Sequence, residues 1–300
     1  MMARFAEVAF LTKVDKTNLN ASGTEGNVTT LKKTHEIDGT ERIYISGVSA
    51  KYAVKQYLGE LGWKLSPVRV KTKRAQITTE CDPEEYIDDD LFGYMDTDRD
   101  LKRAAPVKTS GMVSLFEYLG DLNRGVRFDP TETASHSLYD IEIVTTVFRS
   151  NWAVELDRVG VTDEKGQKKS KAVPDEEREK RVKALLESLF NMWSRVKQSN
   201  FLSKLGPEVL VLVFRNDKTL TIADKLKIDK EFNLDVKSLS EAIQYHQDKI
   251  VKVYVGYFAS FLKNCEELKR LQTEYPEKLE VMSLADLKSK VLSDDFKLYS

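Results

Sequence analysis

The residues best equipped for chemistry crowd into one acidic run. Asp96-Thr97-Asp98-Arg99-Asp100 begins like a calcium loop, with oxygen donors at alternate positions. The pattern then fails, because Leu101 stands where the sharp turn needs glycine and Val107 where a bidentate glutamate must close the shell. Asp88-Asp89-Asp90 sets three carboxylates side by side, and neighbours in sequence rarely converge on one hard cation. His35, His136 and His246 cluster neither with one another nor with cysteine, so no general base or imidazole ligand set stands out. Cys81 and Cys265 are far apart and lack zinc-site spacing, which leaves two free thiols of a reducing cytosol. The phosphate loop G-x-x-x-x-G-K, the dinucleotide G-x-G-x-x-G and the G-x-S-x-G elbow are missing, as is the aromatic signature of an ordinary RNA-recognition motif. The expectation is a protein that is not an enzyme, with no catalytic residues, metal or cofactor.

Charge is segregated rather than scarce. Nine acids crowd the segment from Asp82 to Asp100; Arg69, Lys71, Lys73 and Arg74 precede it, and Lys102, Arg103 and Lys108 follow. A net charge of −1 therefore still permits a basic groove, and an acidic surface of one copy could face a basic surface of the next. Hydrophobic residues at 41% and charged residues at 32% describe a globular chain with a sizeable core. The most apolar run, Val209–Phe214, is far too short for a membrane span, and Met1–Glu7 reaches a glutamate before any signal-peptide core could form. A cytoplasmic location is expected.

The elements that must position these groups can be read from periodicity. A strand over Arg4–Lys13, apolar on both faces, belongs in the middle of a sheet. A polar loop from Asp15 to about Thr30 precedes a hairpin, Thr30–Ile37 returning through Arg42–Ile45 after a turn at Asp38-Gly39. Ser46 can cap a helix that runs to about Leu61 and stops at Gly62, with Lys51 and Lys55 off its apolar stripe. Val68–Lys73 alternates, so a strand there would put Arg69, Lys71 and Lys73 on one face. Glu80–Asp90 reads as an exposed excursion, Ala105–Phe116 as a strand and Gly120–Ser135 as a projecting loop or hairpin. Ile141–Phe148 and Trp152–Val159 read as two strands.

A lysine-rich loop then leads past Pro174 into an amphipathic helix carrying Val182, Leu185, Leu186, Leu189, Trp193 and Val196, before the buried strand Val209–Phe214. The order strand, helix, strands, helix, strand suits an α+β fold, a split βαβ core of ferredoxin-like or RNA-recognition-motif type with large insertions. A helix near Ser238–Gln247, a strand Val251–Tyr257, a helix Phe258–Gln272 and a last helix capped by Ser283 make a C-terminal extension over 236–300.

Three blocks carry a family resemblance. They are Leu19-Asn20 with Glu25-Gly26-Asn27; Arg42-Ile43-Tyr44-Ile45-Ser46-Gly47-Val48-Ser49-Ala50-Lys51; and Asp90-Leu91-Phe92-Gly93-Tyr94-Met95 followed by Lys102-Arg103-Ala104-Ala105-Pro106-Val107-Lys108. In that order and spacing they resemble the guide-RNA-binding backbone subunit of Cascade, within the RAMP superfamily, and most closely the DevR-type proteins of type I-B CRISPR systems. The likeness runs through about residue 235. It implies a right-hand shape: a palm over about 1–63 and 139–235, fingers and web over 64–115, and a thumb over 116–138.

Such a subunit holds CRISPR RNA, lines up with other copies of itself, and presents the guide to a target DNA strand. Its further partners would be the subunit capping the 5′ handle, the large subunit and the small subunit. A guide of arbitrary sequence must be held by phosphate and ribose, since contacts to base edges would restrict which guides fit. On this resemblance Asn20, Asn27, Ser46, Ser49, Lys51, Lys102, Arg103 and Lys108 face the RNA, the helix start adding its free amides and positive dipole end. The serines would equally serve as plain caps, and the asparagines as turn residues. Arg69, Lys71 and Lys73 would face target DNA or a neighbouring copy, and Leu122, Val126 and Phe128 would form an apolar thumb wedge. Gly47, Val48 and Tyr52 replace polar or basic residues common in relatives, which shifts phosphate binding toward backbone amides and Lys51. Two other RAMP roles compete: a guide-processing endoribonuclease, for which His35 is badly placed, and a target-RNA-cleaving backbone subunit of type III systems.

Overall fold

The computed structural model describes residues 3–71, 76–127, 137–162, 171–193 and 201–299. β1 (Phe5–Thr17) is buried on both faces over its first eight residues, as its unbroken apolar run requires. The segment expected to be a polar loop instead pairs as β2 (Ala21–Glu25) and β3 (Val28–Leu31). β4 (Lys33–His35) and β5 (Glu41–Ser46) form the expected hairpin, and β5 runs directly into α1 (Gly47–Glu60). The chain continues through β6 (Arg69–Lys71), β7 (Gln76–Thr78), α2 (Ile87–Phe92), β8 (Tyr94–Asp96), β9 (Leu101–Arg103) and β10 (Val107–Ser114). Next come β11 (Leu122–Arg127), β12 (Ser137–Glu142), β13 (Val144–Val154), the short pair β14 (Val161–Thr162) and β15 (Lys171–Ala172), then α3 (Asp175–Phe190). β16 (Val209–Arg215), α4 (Val236–Tyr245), β17 (Ile250–Tyr257), α5 (Cys265–Glu274), β18 (Leu279–Ser283) and α6 (Leu284–Leu292) complete it.

Eight strands form the main sheet in the order β18-β17-β16-β1-β13-β10-β5-β4. Its centre, β16-β1-β13-β10, is antiparallel throughout, with α1 in sequence between β1 and β10 and α3 between β13 and β16. Alternation splits β1 between two cores. Val8 and Phe10 join Val54 and Leu58 of α1, Leu185 and Leu189 of α3 and Leu287 of α6 on one face. Ala9 and Leu11 meet Leu239 of α4 and Leu268 of α5 on the other. The C-terminal extension, expected to hold one strand, therefore adds two strands to the sheet and covers part of its second face. A second sheet, β11-β12-β3-β2, explains why β2 and β3 are ordered: β3 pairs in parallel with β12, a partner more than a hundred residues away.

Two expectations need correction. Ile141–Phe148 and Trp152–Val159 are not two strands broken near Ser150. β13 runs through, because Ser150 Oγ donates to the Gly111 carbonyl and accepts from Trp152 Nε1 at 2.9 Å, so its hydroxyl is satisfied in the core. The acidic stretch is not an exposed excursion either. Asp88, Asp89 and Asp90 are at most 3% exposed. Asp90 accepts from Arg103, from Arg181 Nη1 at 2.8 Å and from the Gly160 amide at 2.9 Å. Asp88 accepts from Lys55 Nζ at 2.9 Å and the Ser66 amide at 2.8 Å.

Arg103 and Arg181 have side chains only 6% and 3% exposed, so removing the Asp90 carboxylate takes the counter-charge from Arg103 and leaves Arg181 with Glu177 alone. Asp90→Ala should cost about 3–5 kcal/mol, read as a lowered denaturation midpoint with an unchanged slope. A loss below about 1 kcal/mol, the range of exposed ion pairs, would show that this charge cluster does not hold the inserted segment to the core.

Candidate nucleic-acid interface

The start of α1 is fixed from three sides. Ser46 Oγ accepts the Ser49 amide, the Ser46 amide donates to Asn20 Oδ1 at 2.8 Å, and β10 crosses immediately beside the junction. That crossing is possible only because two glycines meet there. A Cβ on Gly111, whose φ is +90°, would stand 2.0 Å from the Ile45 carbonyl oxygen, and one on Gly47 would stand 2.7 Å from that of Thr109. The register of β10 slips between Thr109 and Gly111, turning Ser110 out to the surface.

The first turn of a helix leaves amides without intrahelical acceptors. Ser46 and Ser49 are satisfied as above, and the amides of Gly47 and Val48 have no acceptor within the helix. No acidic residue occupies this first turn, so nothing local opposes an anion at the positive end of the helix. Lys51 lies one turn on, half-buried, with its ammonium 5.9 Å from the Phe92 ring centre. Burial, and then the neighbouring Lys55, hold its pKa below the ordinary lysine value. An anion beside it would relieve both effects.

Lys108 lies on the sheet face opposite α1, opposite Ala153 in register, and is 57% exposed. Its ammonium contacts Glu155, which also accepts from Lys218 at 2.8 Å. Burial alone would raise the Glu155 pKa, but those two lysines hold it down at about 2. The carboxylate is therefore ionised at every physiological pH and partly offsets the charge of Lys108.

The remaining expected residues divide. Asn20 acts as a clip, since its side-chain oxygen is committed to Ser46. Asn27 is exposed at the β2–β3 turn, where its carbonyl accepts the Asp140 amide at 3.1 Å. Lys102 is exposed on β9. Arg103 is a correction: its guanidinium is engaged by Asp90 and by the carbonyls of Val161 and Arg158, so it does not project toward a ligand. Arg69 is 57% exposed and paired with Glu80. The side chain of Lys71, and Lys73 and Phe128 entirely, lie outside the described residues. Leu122 and Val126 are 54% and 43% exposed on one face of β11, and Val126 stands opposite the exposed Leu138. Sequence reasoning missed Lys218, Glu155 and Asn151 beside Lys108, because register and a distant loop bring them there rather than spacing.

Among the described residues no cluster of three His, Cys, Asp or Glu side chains could hold a metal, and no helix is long and apolar enough to cross a membrane. Comparison with known proteins adds three findings. One chain of a "CRISPR RNA-guided surveillance complex, pre-nicking" aligns over 96% of this chain and 99% of its own, at 12% identity and a TM-score of 0.58. Another, of a "CRISPR RNA-guided surveillance complex", aligns over 96% and 98% at 14% identity and a TM-score of 0.59. Both establish likeness of fold, and none of the curated proteins compared matches the chain. The profile of the family described as "CRISPR-associated negative auto-regulator DevR/Csa2" matches residues 8–231 of the 300. The chain belongs to that family of CRISPR-associated proteins.

Proposed function

We propose that this protein is a non-catalytic backbone subunit of a type I Cascade, of the I-B kind. It holds CRISPR RNA by phosphate and ribose, repeats along the guide in several copies, and offers the bases to a target DNA strand. The observation that carries the reading is the start of α1: two amides without intrahelical acceptors, no competing acid, and Lys51 close by. It is a seat for a phosphate that reads no base. Family membership and likeness of fold to surveillance-complex chains support the same reading.

The strand order β16-β1-β13-β10, with α1 and α3 as its crossovers, supports a palm of ferredoxin-like or RNA-recognition-motif type. The β6–β7 hairpin and the α2–β9 segment would then be fingers and web, and β11–β12 the thumb, with Leu122 and Val126 as its exposed apolar side. Asn27, Ser49, Lys102 and Lys108 would add contacts to the RNA backbone, and Arg69 to target DNA or the next copy. The other Cascade subunits would cap the two ends of the row.

Lys51→Ala with Lys108→Ala should weaken binding of unrelated guides by a common factor. The double substitution should also flatten the log–log salt dependence by roughly 0.7 for each phosphate left without its lysine. A filter-binding salt titration reads this, and a weakening confined to particular guides would contradict it. Glu155→Gln should act in the opposite direction: with Lys108 released from its carboxylate, affinity rises and the salt dependence steepens. Unchanged affinity in that variant would remove Lys108 from the interface.

A further inference from the structure

Two bare aliphatic side chains stand at one end of the main sheet. Ile37, at the tip of the β4–β5 turn, is fully exposed. Leu119, 85% exposed, follows Tyr118, whose amide donates to the Glu41 carbonyl and so brings it to the same end. The turn is held shut. The Gly39 amide donates to the Glu36 carbonyl at 3.0 Å, the Glu36 amide to the Thr40 carbonyl at 2.9 Å, and the Thr40 amide to Asp38 Oδ1 at 2.9 Å. Isoleucine is not among the residues that turn chemistry favours, so its fixed display has another cause. Glu36, Asp38 and Glu117, all exposed, surround the two aliphatic groups with carboxylates.

A matching hollow lies at the other end of the same strands. A cavity of about 490 Å³ opens where β10 begins, lined in part by Lys108, Ala153, Lys218, Leu220 and Ala223. Its open apolar surface comes from Leu220, 48% exposed, from the half-buried Ala153 and Ala223, and from the lysine stems. Leu220 is held as firmly as Ile37. Glu7, fully buried on β1, accepts the neighbouring Thr221 and Ile222 amides at 2.5 and 3.0 Å, and fully buried Arg215 donates to Asp217 at 2.7 Å. The charged lining is two lysines against the single carboxylate of Glu155. By contrast, the cavity at the foot of β11 is lined by Glu25, Asp121 and Glu142 and would repel an acidic tip. From Lys108 at the hollow, β10 runs to Ser114, whose hydroxyl accepts the Ile43 amide just past the turn. Tip and hollow are thus separated by roughly 20 Å of strand.

We propose that copies of this chain join head to tail, the Ile37 tip of one entering the hollow beside Leu220 of the next. Glu36 and Asp38 then meet Lys218, and the stem of Lys108 flanks Ile37 while its ammonium is left to the guide. Tip and hollow are different patches at opposite ends of the sheet. Their contact is therefore heterologous, and it repeats as a row instead of closing a pair. The inference rests on the reading above, in which copies repeat along a guide, and names the contact that joins them.

Cysteine pairing tests the contact. Ile37→Cys and Leu220→Cys, both at exposed positions, are made in separate proteins, mixed, and mildly oxidised with and without a guide-length RNA. A disulfide forms only where the two backbones come within about 7 Å, so the mixture should give a linked dimer. Either variant alone should give at least about fivefold less, and a protein carrying both should give a ladder of longer products. Wild-type protein, with Cys81 and Cys265, sets the baseline. Separately, Ile37→Ser should weaken association between copies on RNA at least about tenfold, by loss of the buried side chain. Its binding as a single copy to a short RNA should be unchanged. Linked dimer no more abundant in the mixture than in either variant alone, while several copies still occupy the guide, overturns the contact and leaves the guide-binding reading standing. Linked dimer without any RNA binding upholds the contact and counts against that reading. Absence of both overturns both.

Discussion

The contact between two glycine backbones, Gly47 at the start of α1 and Gly111 on β10, is the constraint on which the interface rests. Neither position has room for a Cβ, and Gly111 also takes a φ of +90° that other residues rarely adopt. Because the backbones touch, β10 bulges at Ser110, β5 ends where α1 begins, and the helix start lies directly beside β10. Ser46 and Asn20 hold the resulting geometry without using the amides of Gly47 and Val48. A side chain at either glycine would push α1 away from β10 and separate the helix amides from the strand that carries Lys108.

Buried charge plays the complementary part for the inserted segment. α2 is a short helix with no side-chain cap, and its three aspartates would be strongly destabilising if buried alone. Arg103 from β9 and Arg181 from α3 compensate Asp90, Lys55 from α1 compensates Asp88, and Asp89 accepts the Asp82 amide. Arg181 also donates to the carbonyls of Pro83 and Glu84 at 2.7 Å, so one guanidinium ties α3 to both ends of the acidic stretch. The arrangement fixes how the segment between β7 and β10 sits on the core, and it occupies an arginine that would otherwise count toward nucleic-acid binding.

Much of this is legible in the sequence wherever the deciding interaction is local. The cap at Ser46, the stop at Gly62, the apolar stripe of α1 and the doubly buried β1 follow from residue types within a few positions of each element. The family likeness, too, is visible in the blocks around Ser46–Lys51 and Asp90–Lys108. What stays hidden depends on distant partners. β2 and β3 read as a loop because β12, which orders them, lies far along the chain. The aspartates read as solvated because Arg181 is ninety-one residues from Asp90. β13 reads as broken at Ser150 because the Gly111 carbonyl that satisfies it belongs to another strand. Arg103 and Lys108 are near neighbours of one sign, yet the first is buried in an ion pair and the second projects from the open face; only the side chain's direction separates them.

The physical content of the account is that grip comes from charge and backbone amides aimed at phosphate, with base identity left free for pairing. Substituting the phosphates tests this most directly. Binding of one guide sequence should be compared with that of the same sequence built on an uncharged methylphosphonate backbone, at equal length and low ionic strength. The account predicts that the uncharged strand loses nearly all affinity, and that whatever remains no longer varies with salt. Binding of the uncharged strand as tight as that of natural RNA would contradict it.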